Sequence, residues 1–157
     1  RSTSSMQVYF ATDHAGFDLN NTLIDYVKEL GYEIEDCGAY SFDKDDDYPA
    51  IIASAARKLA VDVAAGYESR AIILGGSGEG EAIVANRFKS VRAAVYYGKE
   101  PSIPPLSREH NDANALSLGA RFLSEGEAKH AVKEWLAKPF SNDERHARRK
   151  KQIDEIN

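Results

Sequence analysis

The chain has 157 residues, 43% hydrophobic and 29% charged, which suits one folded domain whose core needs no disulfide or metal staple. A net charge of -5 argues against nucleic acid as the main partner, because a phosphate backbone calls for a basic face. With Cys37 as the single cysteine, no apolar run long enough to span a membrane and no visible secretory signal, the expected setting is reducing and cytoplasmic.

Residues 1–5, ahead of Met6, read as an appended remnant, which leaves 6–157 as one domain with a C-terminal helical tail. Gln7 to Ala11 is a β-prone run, broken by Thr12-Asp13-His14-Ala15-Gly16. Leu19, Leu23, Ile24, Val27 and Leu30 then recur at helical spacing until Gly31. Tyr32 to Asp36 reads as a second strand. Four aspartates follow between Asp43 and Asp47, but without the glycine and closing glutamate of a calcium hand, so a solvated loop is expected. Tyr48-Pro49 opens a helix, with proline at an early position where its missing N–H costs little.

A third strand, Arg70 to Leu74, runs directly into Gly75-Gly76-Ser77-Gly78-Glu79-Gly80-Glu81, and an alanine-rich helical pattern follows. Val91 to Tyr97 is a fourth strand. Gly98 to Pro105 carries three prolines and is expected to be an exposed loop with no regular helix. Beyond the polar cluster Ser107-Arg108-Glu109-His110-Asn111-Asp112, Ala115 to Leu118 forms a short fifth strand. Ser124 caps a helix whose apolar face is Ala128, Ala131, Val132, Trp135 and Leu136. The tail from Asn142 is charged and helical in pattern, with Arg145, His146, Arg148 and Arg149 close together. Strands alternating with helices predict an α/β fold with a parallel sheet covered on both faces, and ligands beyond the carboxyl ends of the strands.

The glycine stretch is the strongest chemical signal. From Gly76 and Gly78 the dinucleotide fingerprint needs a third glycine at the position of Glu81, and a nucleotide-hydrolase loop needs Lys and Ser or Thr after Gly80, where Glu81-Ala82 stands. Both fail, and a glutamate there repels phosphate. Free N–H groups at a helix start beside a carboxylate suit proton abstraction next to a carbonyl, with the carboxylate as base and N–H or hydroxyl donors on the enediolate oxygen. The same glycines also serve a plain strand-to-helix turn. Asp13 and His14 fit substrate hydroxyls or a helix cap, His110 with Asn111 an acid–base pair or a surface histidine, and Arg145, His146 and Arg149 a phosphate grip or a solvated helix end.

Taken together, Thr12 to Gly16, Asp47-Tyr48-Pro49, Gly75 to Glu81 with Ala85-Asn86, Ser107 to Asp112, and Arg145-His146 with Arg148-Arg149 resemble the type B ribose-5-phosphate isomerases and their sugar-phosphate isomerase relatives, in order along nearly the whole chain from Met6. The resemblance implies a Rossmann-like three-layer sandwich with a five-stranded parallel sheet, no cofactor and no metal, and a homodimer or homotetramer with sites shared between subunits. It makes Glu81 the base, with Ser77 and the backbone of Gly76, Gly78 and Gly80 on the enediolate oxygen. It has His110, with Asp13 nearby, assist ring opening; His14, Tyr48 and Asn111 hold the sugar; and Arg121, Arg145, His146 and Arg149 hold the phosphate. Many members carry a cysteine base where this chain has Gly75, so the chain resembles the subgroup in which a glutamate at the position of Glu81 takes over. The expected activity is interconversion of ribose 5-phosphate and ribulose 5-phosphate or a related sugar phosphate. The competing expectation is a non-catalytic sugar-phosphate-binding or regulatory subunit of the same fold.

Overall fold

The computed structural model describes residues 6–156, so the expectation for residues 1–5 lies outside them. Its strands are β1 (Gln7–Thr12), β2 (Glu33–Asp36), β3 (Ser69–Gly75), β4 (Ala93–Tyr96) and β5 (Ala115–Gly119). They form one parallel sheet in the order β2-β1-β3-β5-β4. The helices are α1 (Phe17–Glu29), α2 (Tyr48–Ala64), α3 (Glu79–Ala85), α4 (Ile103–Asn111), α5 (Glu125–Ala137) and α6 (Glu144–Asp154). None is long and apolar enough to cross a membrane among the described residues.

The strand alternation sorts the core into two layers. Val8, Phe10, Ile72, Leu74, Leu116 and Leu118 face α1 and α5, where they meet Leu23, Val27, Val132 and Trp135. The intervening Tyr9, Ala11, Ala71, Ile73 and Ala115 face α2 and α3, against Ile52, Ala55, Ala56, Leu59 and Ala85. Small residues on this second face let α2 come close to the sheet. Cys37 is buried in the same layer, and burial pushes its thiol up to about 11, so it is a packing residue rather than a nucleophile.

Element starts follow local chemistry. Ser124 accepts from the Glu127 N–H at 3.1 Å while the Glu127 carboxylate accepts from the Ser124 N–H at 2.9 Å, a complete capping box on α5. The expected loop over 98–105 is corrected: α4 begins at Ile103, inside it. Pro104 and Pro105 occupy the first turn, where backbone N–H groups have no intrahelical acceptor, so the missing donors break nothing. The fourth strand is also shorter than expected, Ala93–Tyr96.

α4 ends on Asp112, held in the left-handed region at φ 48°, a conformation an aspartate tolerates better than most residues. Its carboxylate there accepts from Arg108 Nη1 at 2.7 Å and Lys150 Nζ at 2.5 Å, with Arg92 Nη2 at 3.5 Å. Arg92 also bonds Asp154 at 3.2 Å. Burial alone would raise the Asp112 carboxyl, but the bonds from Lys150 and Arg108 outweigh it and hold the group below the usual aspartate range. These contacts tie α6 to α4 and to the start of β4. Asp112→Ala strips Arg108, a buried guanidinium, of its carboxylate and is expected to lower stability by about 3 kcal/mol near neutral pH, measured by urea unfolding. Because the native group titrates below its ordinary value, the contribution is full above about pH 4 and fades as pH falls through the lowered native value; a variant deficit that persists undiminished in acid would contradict this account.

Candidate active site

The sheet order reverses direction between β1 and β3, and their carboxyl ends lie side by side: Thr12 pairs with Leu74, and the Asp13 N–H donates to the Leu74 carbonyl at 3.1 Å. A crevice at such a point is the usual ligand site of an open parallel sheet. Asp13 is buried, and its carboxylate accepts from the Gly16 N–H at 3.1 Å, capping the single 3-10 turn His14–Gly16. Thus Asp13 does act as a cap.

From β3 the chain turns through Gly76-Ser77-Gly78 into α3. Gly78 takes φ +85°, a conformation suited to glycine, and its carbonyl accepts from the Ser117 hydroxyl at 2.6 Å. Ser77 Oγ accepts from the Glu79 N–H at 3.1 Å. These bonds fix the turn on β5. One helical turn later, Glu81 points back over the strand end. A side chain built on Gly75 would overlap the Glu81 carboxylate: the acid occupies the volume that a residue at 75 would otherwise fill. Glu81 is only 4% exposed. Burial pushes its carboxyl above the usual glutamate range and the nearby Asp13 charge adds to this, against a lowering by the bond from its own backbone N–H.

Two neighbours close the cradle. The Tyr48 hydroxyl, from the start of α2, lies against the Cα of Gly80 so closely that a Cβ there would overlap it. Arg121, just past β5, crosses the face of Gly76, with Nη1 3.1 Å from where a Cβ would stand. The structure therefore brings together Asp13, His14, Tyr48, Gly76, Ser77, Gly78, Gly80, Glu81 and Arg121 at the carboxyl edge of the sheet.

The other expected residues lie elsewhere. α4 runs back across the sheet, and the chain re-enters it at Asn114, which bonds Arg92 and Ala71 at the amino edge. His110 and Asn111 sit at this end of α4. The His110 and His146 rings lie with centroids 4.5 Å apart at a tilt of 35°, and Ser141 Oγ lies 2.7 Å from His146 Nδ1. Arg145 and Arg149 are exposed on the same α6. Within a single chain Asp13 and His110 therefore lie at opposite edges of the sheet: strands such as β3 with seven residues span roughly 20 Å, and a place for His110 beside Asp13 rests on the expected sharing of sites between subunits.

One aspartate of the acidic stretch is also unlike the expectation. Asp43, Asp45 and Asp47 are exposed, whereas Asp46 turns inward to His14. Nothing in the spacing of four near-consecutive aspartates marks which one turns in. Arg108 and Asp112 stood in the polar cluster without an assigned role; their i,i+4 spacing was the available signal for the pair.

The sequence model of the Ribose/Galactose Isomerase family matches residues 8–153. The chain is 40% identical over 146 residues to ribose-5-phosphate isomerase B of Mycobacterium tuberculosis (strain ATCC 25618 / H37Rv), covering 93% of this chain and 86% of that one. It is 35% identical over 150 residues to ribose-5-phosphate isomerase B of Escherichia coli (strain K12), covering 96% and 95%. The crystal structure of ribose-5-phosphate isomerase B from Mycoplasma genitalium with bound ribulose-5-phosphate superposes with a TM-score of 0.90 at 30% identity, over 97% of this chain and 96% of that one. With its sheet order, its glycine cradle and these matches agreeing from end to end, the chain belongs to the ribose/galactose isomerase family.

Proposed function

We propose that this chain is an aldose-ketose isomerase that interconverts ribose 5-phosphate and ribulose 5-phosphate through an enediolate. The observation that carries the reading is the Glu81 carboxylate, dehydrated and held over Gly75 beside the Ser77 turn. Glu81 takes the proton from C2 of the aldose and returns it to C1, while the proton of the O2 hydroxyl passes to O1, so that C1 gains a hydroxyl and C2 the carbonyl. A raised carboxyl suits this, since a base whose conjugate acid lies nearer neutral pH both accepts and returns the proton readily. The oxygen that becomes negative is held by Ser77 and the backbone of Gly76, Gly78 and Gly80. Relatives named ribose-5-phosphate isomerase B support the substrate. In the wider family a cysteine base commonly stands where this chain has Gly75; here that position has no side chain and Glu81 fills the space, which supports the glutamate-based subgroup.

The remaining roles need a second copy. Asp13, His14, Tyr48 and Arg121 bind and orient the sugar phosphate from the carboxyl edge. His110, which moves a proton during ring opening, and Asn111, Arg145, His146 and Arg149 come from the amino edge of a partner subunit, giving a homodimer or a homotetramer. Support for an interface lies along edge strand β4: Ile83, Ile103, Leu106, Ile153 and Ile156, on the elements flanking it, are large apolar side chains exposed in the single chain.

Four outcomes test this reading. Glu81→Gln keeps the shape and removes the base, so exchange of the substrate C2 proton with solvent, followed by NMR in deuterated buffer, is expected to fall by at least about a thousandfold; undiminished exchange removes Glu81 from the mechanism. The same variant reports on linkage. Because the native carboxyl is raised, the fold favours the protonated acid, and the stability this confers is lost as pH rises through the native value. Glu81→Gln is therefore expected to melt above the unmodified protein at pH 7, with the gap closing below about pH 4.

Gly75→Ala puts a methyl group where the carboxylate lies and is expected to cut kcat by about a hundredfold while the sheet survives, as judged by circular dichroism; wild-type turnover in that variant would contradict the placement of the base. Mixing inactive Glu81→Gln with inactive His110→Ala subunits, after unfolding and reassociation, is expected to restore activity to about a quarter of the native sites in a dimer. Sites built within one chain would stay silent.

A further inference from the structure

His14 meets a partner that the reaction scheme above does not use. Its Nδ1 lies 3.5 Å from Oδ1 of Asp46, and the Asp46 side chain keeps only 11% of its surface exposed. Nδ1 of His14 and both carboxylate oxygens of Asp46 are shielded from solvent and have no hydrogen-bond partner among the described residues. A shielded carboxylate without a donor is unfavourable, and the imidazole is the group poised to supply one. Closing the gap by about half an ångström gives a charge-assisted bond of ordinary length.

The loop carrying Asp46 is braced at the same place. Phe42 packs edge-on against the His14 ring, with centroids 5.9 Å apart, and against Phe17 at 6.4 Å. The imidazole is thus fixed on one side by an aromatic edge and on another by the carboxylate. The exposed 28% of the His14 side chain belongs to the rest of the ring, since Nδ1 is shielded.

We propose that Asp46 is the positioning residue of His14: its carboxylate accepts the Nδ1 proton, selects the Nδ1–H tautomer and leaves Nε2 as a bare acceptor for a hydroxyl of the bound sugar. An imidazole otherwise free to exchange tautomers presents Nε2 as a donor or an acceptor; a fixed Nδ1–H leaves the acceptor alone. The site then discriminates for a hydroxyl donor at that position. This step rests on the reading of His14 as a sugar-binding residue. Asp46 touches the imidazole and not the reacting atoms, so its effect is expected in substrate binding rather than in proton transfer.

Two readouts on the full chain test it. Nitrogen-15 NMR of the imidazoles at about pH 8, with His14 assigned through His14→Gln, is expected to give the Nδ1–H tautomer in the unmodified protein and a mixture with Nε2–H in Asp46→Ala. Steady-state kinetics are expected to raise KM about tenfold in Asp46→Ala with kcat within about twofold, while Asp46→Asn, whose amide oxygen can still accept the proton, stays within about threefold of the native KM. An Nε2–H or doubly protonated His14 in the unmodified protein, or an unchanged KM in Asp46→Ala, would overturn the proposal. If the unmodified protein does not isomerise the sugar phosphate, the proposed activity fails, and the tautomer comparison still decides the pairing of Asp46 with His14.

Discussion

A carboxylate can lie dehydrated across the end of a β-strand only where the strand leaves room, and in this chain the room is residue 75. Gly75 ends β3 without a side chain, and the Glu81 carboxylate lies in the vacated volume. The exclusion of water that makes this position unfavourable for a charge also lifts the Glu81 carboxyl above the usual glutamate range, the direction that suits its proposed role as base. Stability and the proposed function therefore pull in opposite directions at this carboxylate. The closeness of the surrounding backbone sharpens the point: a Cβ on Gly119 would stand 2.6 Å from the Ser77 carbonyl oxygen, so the cradle has no slack with which to accommodate a displaced carboxylate.

The parallel sheet imposes the second constraint. Crossovers return every helix antiparallel to the strands, so residues at a helix C-terminus end up at the amino edge, away from the ligand crevice. His110 and Asn111 close α4 and are carried there by that rule. The adjacent His110 and His146 rings then form a second polar surface that is fully assembled within one chain. In the proposed shared site a partner copy joins two rigid edges, which avoids ordering a long flexible loop across the sheet and the entropy such ordering would cost.

Much of this was legible in the residues because the signals were local. The alternation of Val8, Tyr9, Phe10 and Ala11 specifies a strand buried on both faces, Ser124 with Glu127 spells out a helix start, and the run from Gly75 to Glu81 excludes nucleotide loops by residue type alone. What escaped depended on chain geometry. Three prolines suggested a loop, yet α4 begins at Ile103 because proline is harmful only where an N–H is needed, and residue counting alone does not reveal which turn that is. Asp46 was indistinguishable from its exposed neighbours because its inward turn is set by Phe42 packing on His14 and Phe17, a contact across about 25 residues. The separation of the expected site residues between two edges follows from crossover direction and not from any motif.

The Asp112 cluster connects these features. α6 is strongly basic and has one buried residue, His146, so apolar burial alone gives it little reason to dock. Its attachment comes from Lys150 on Asp112 and Asp154 on Arg92, with Ser141 and His146 adding a local bond. Such ion pairs seldom add much net stability, but they specify geometry, since each buried charge has only one arrangement in which it is satisfied. Arg108 is 1% exposed and is held by Asp112 and the carbonyls of Ala113 and Lys138, so Asp112 cannot shift without depriving it of its carboxylate. The helix end that presents His110 and the helix that presents Arg145 and Arg149 are thereby locked to one carboxylate. A site assembled from two chains requires each half to hold its shape before they meet, and at the amino edge that rigidity is supplied by charge pairing in place of a hydrophobic core.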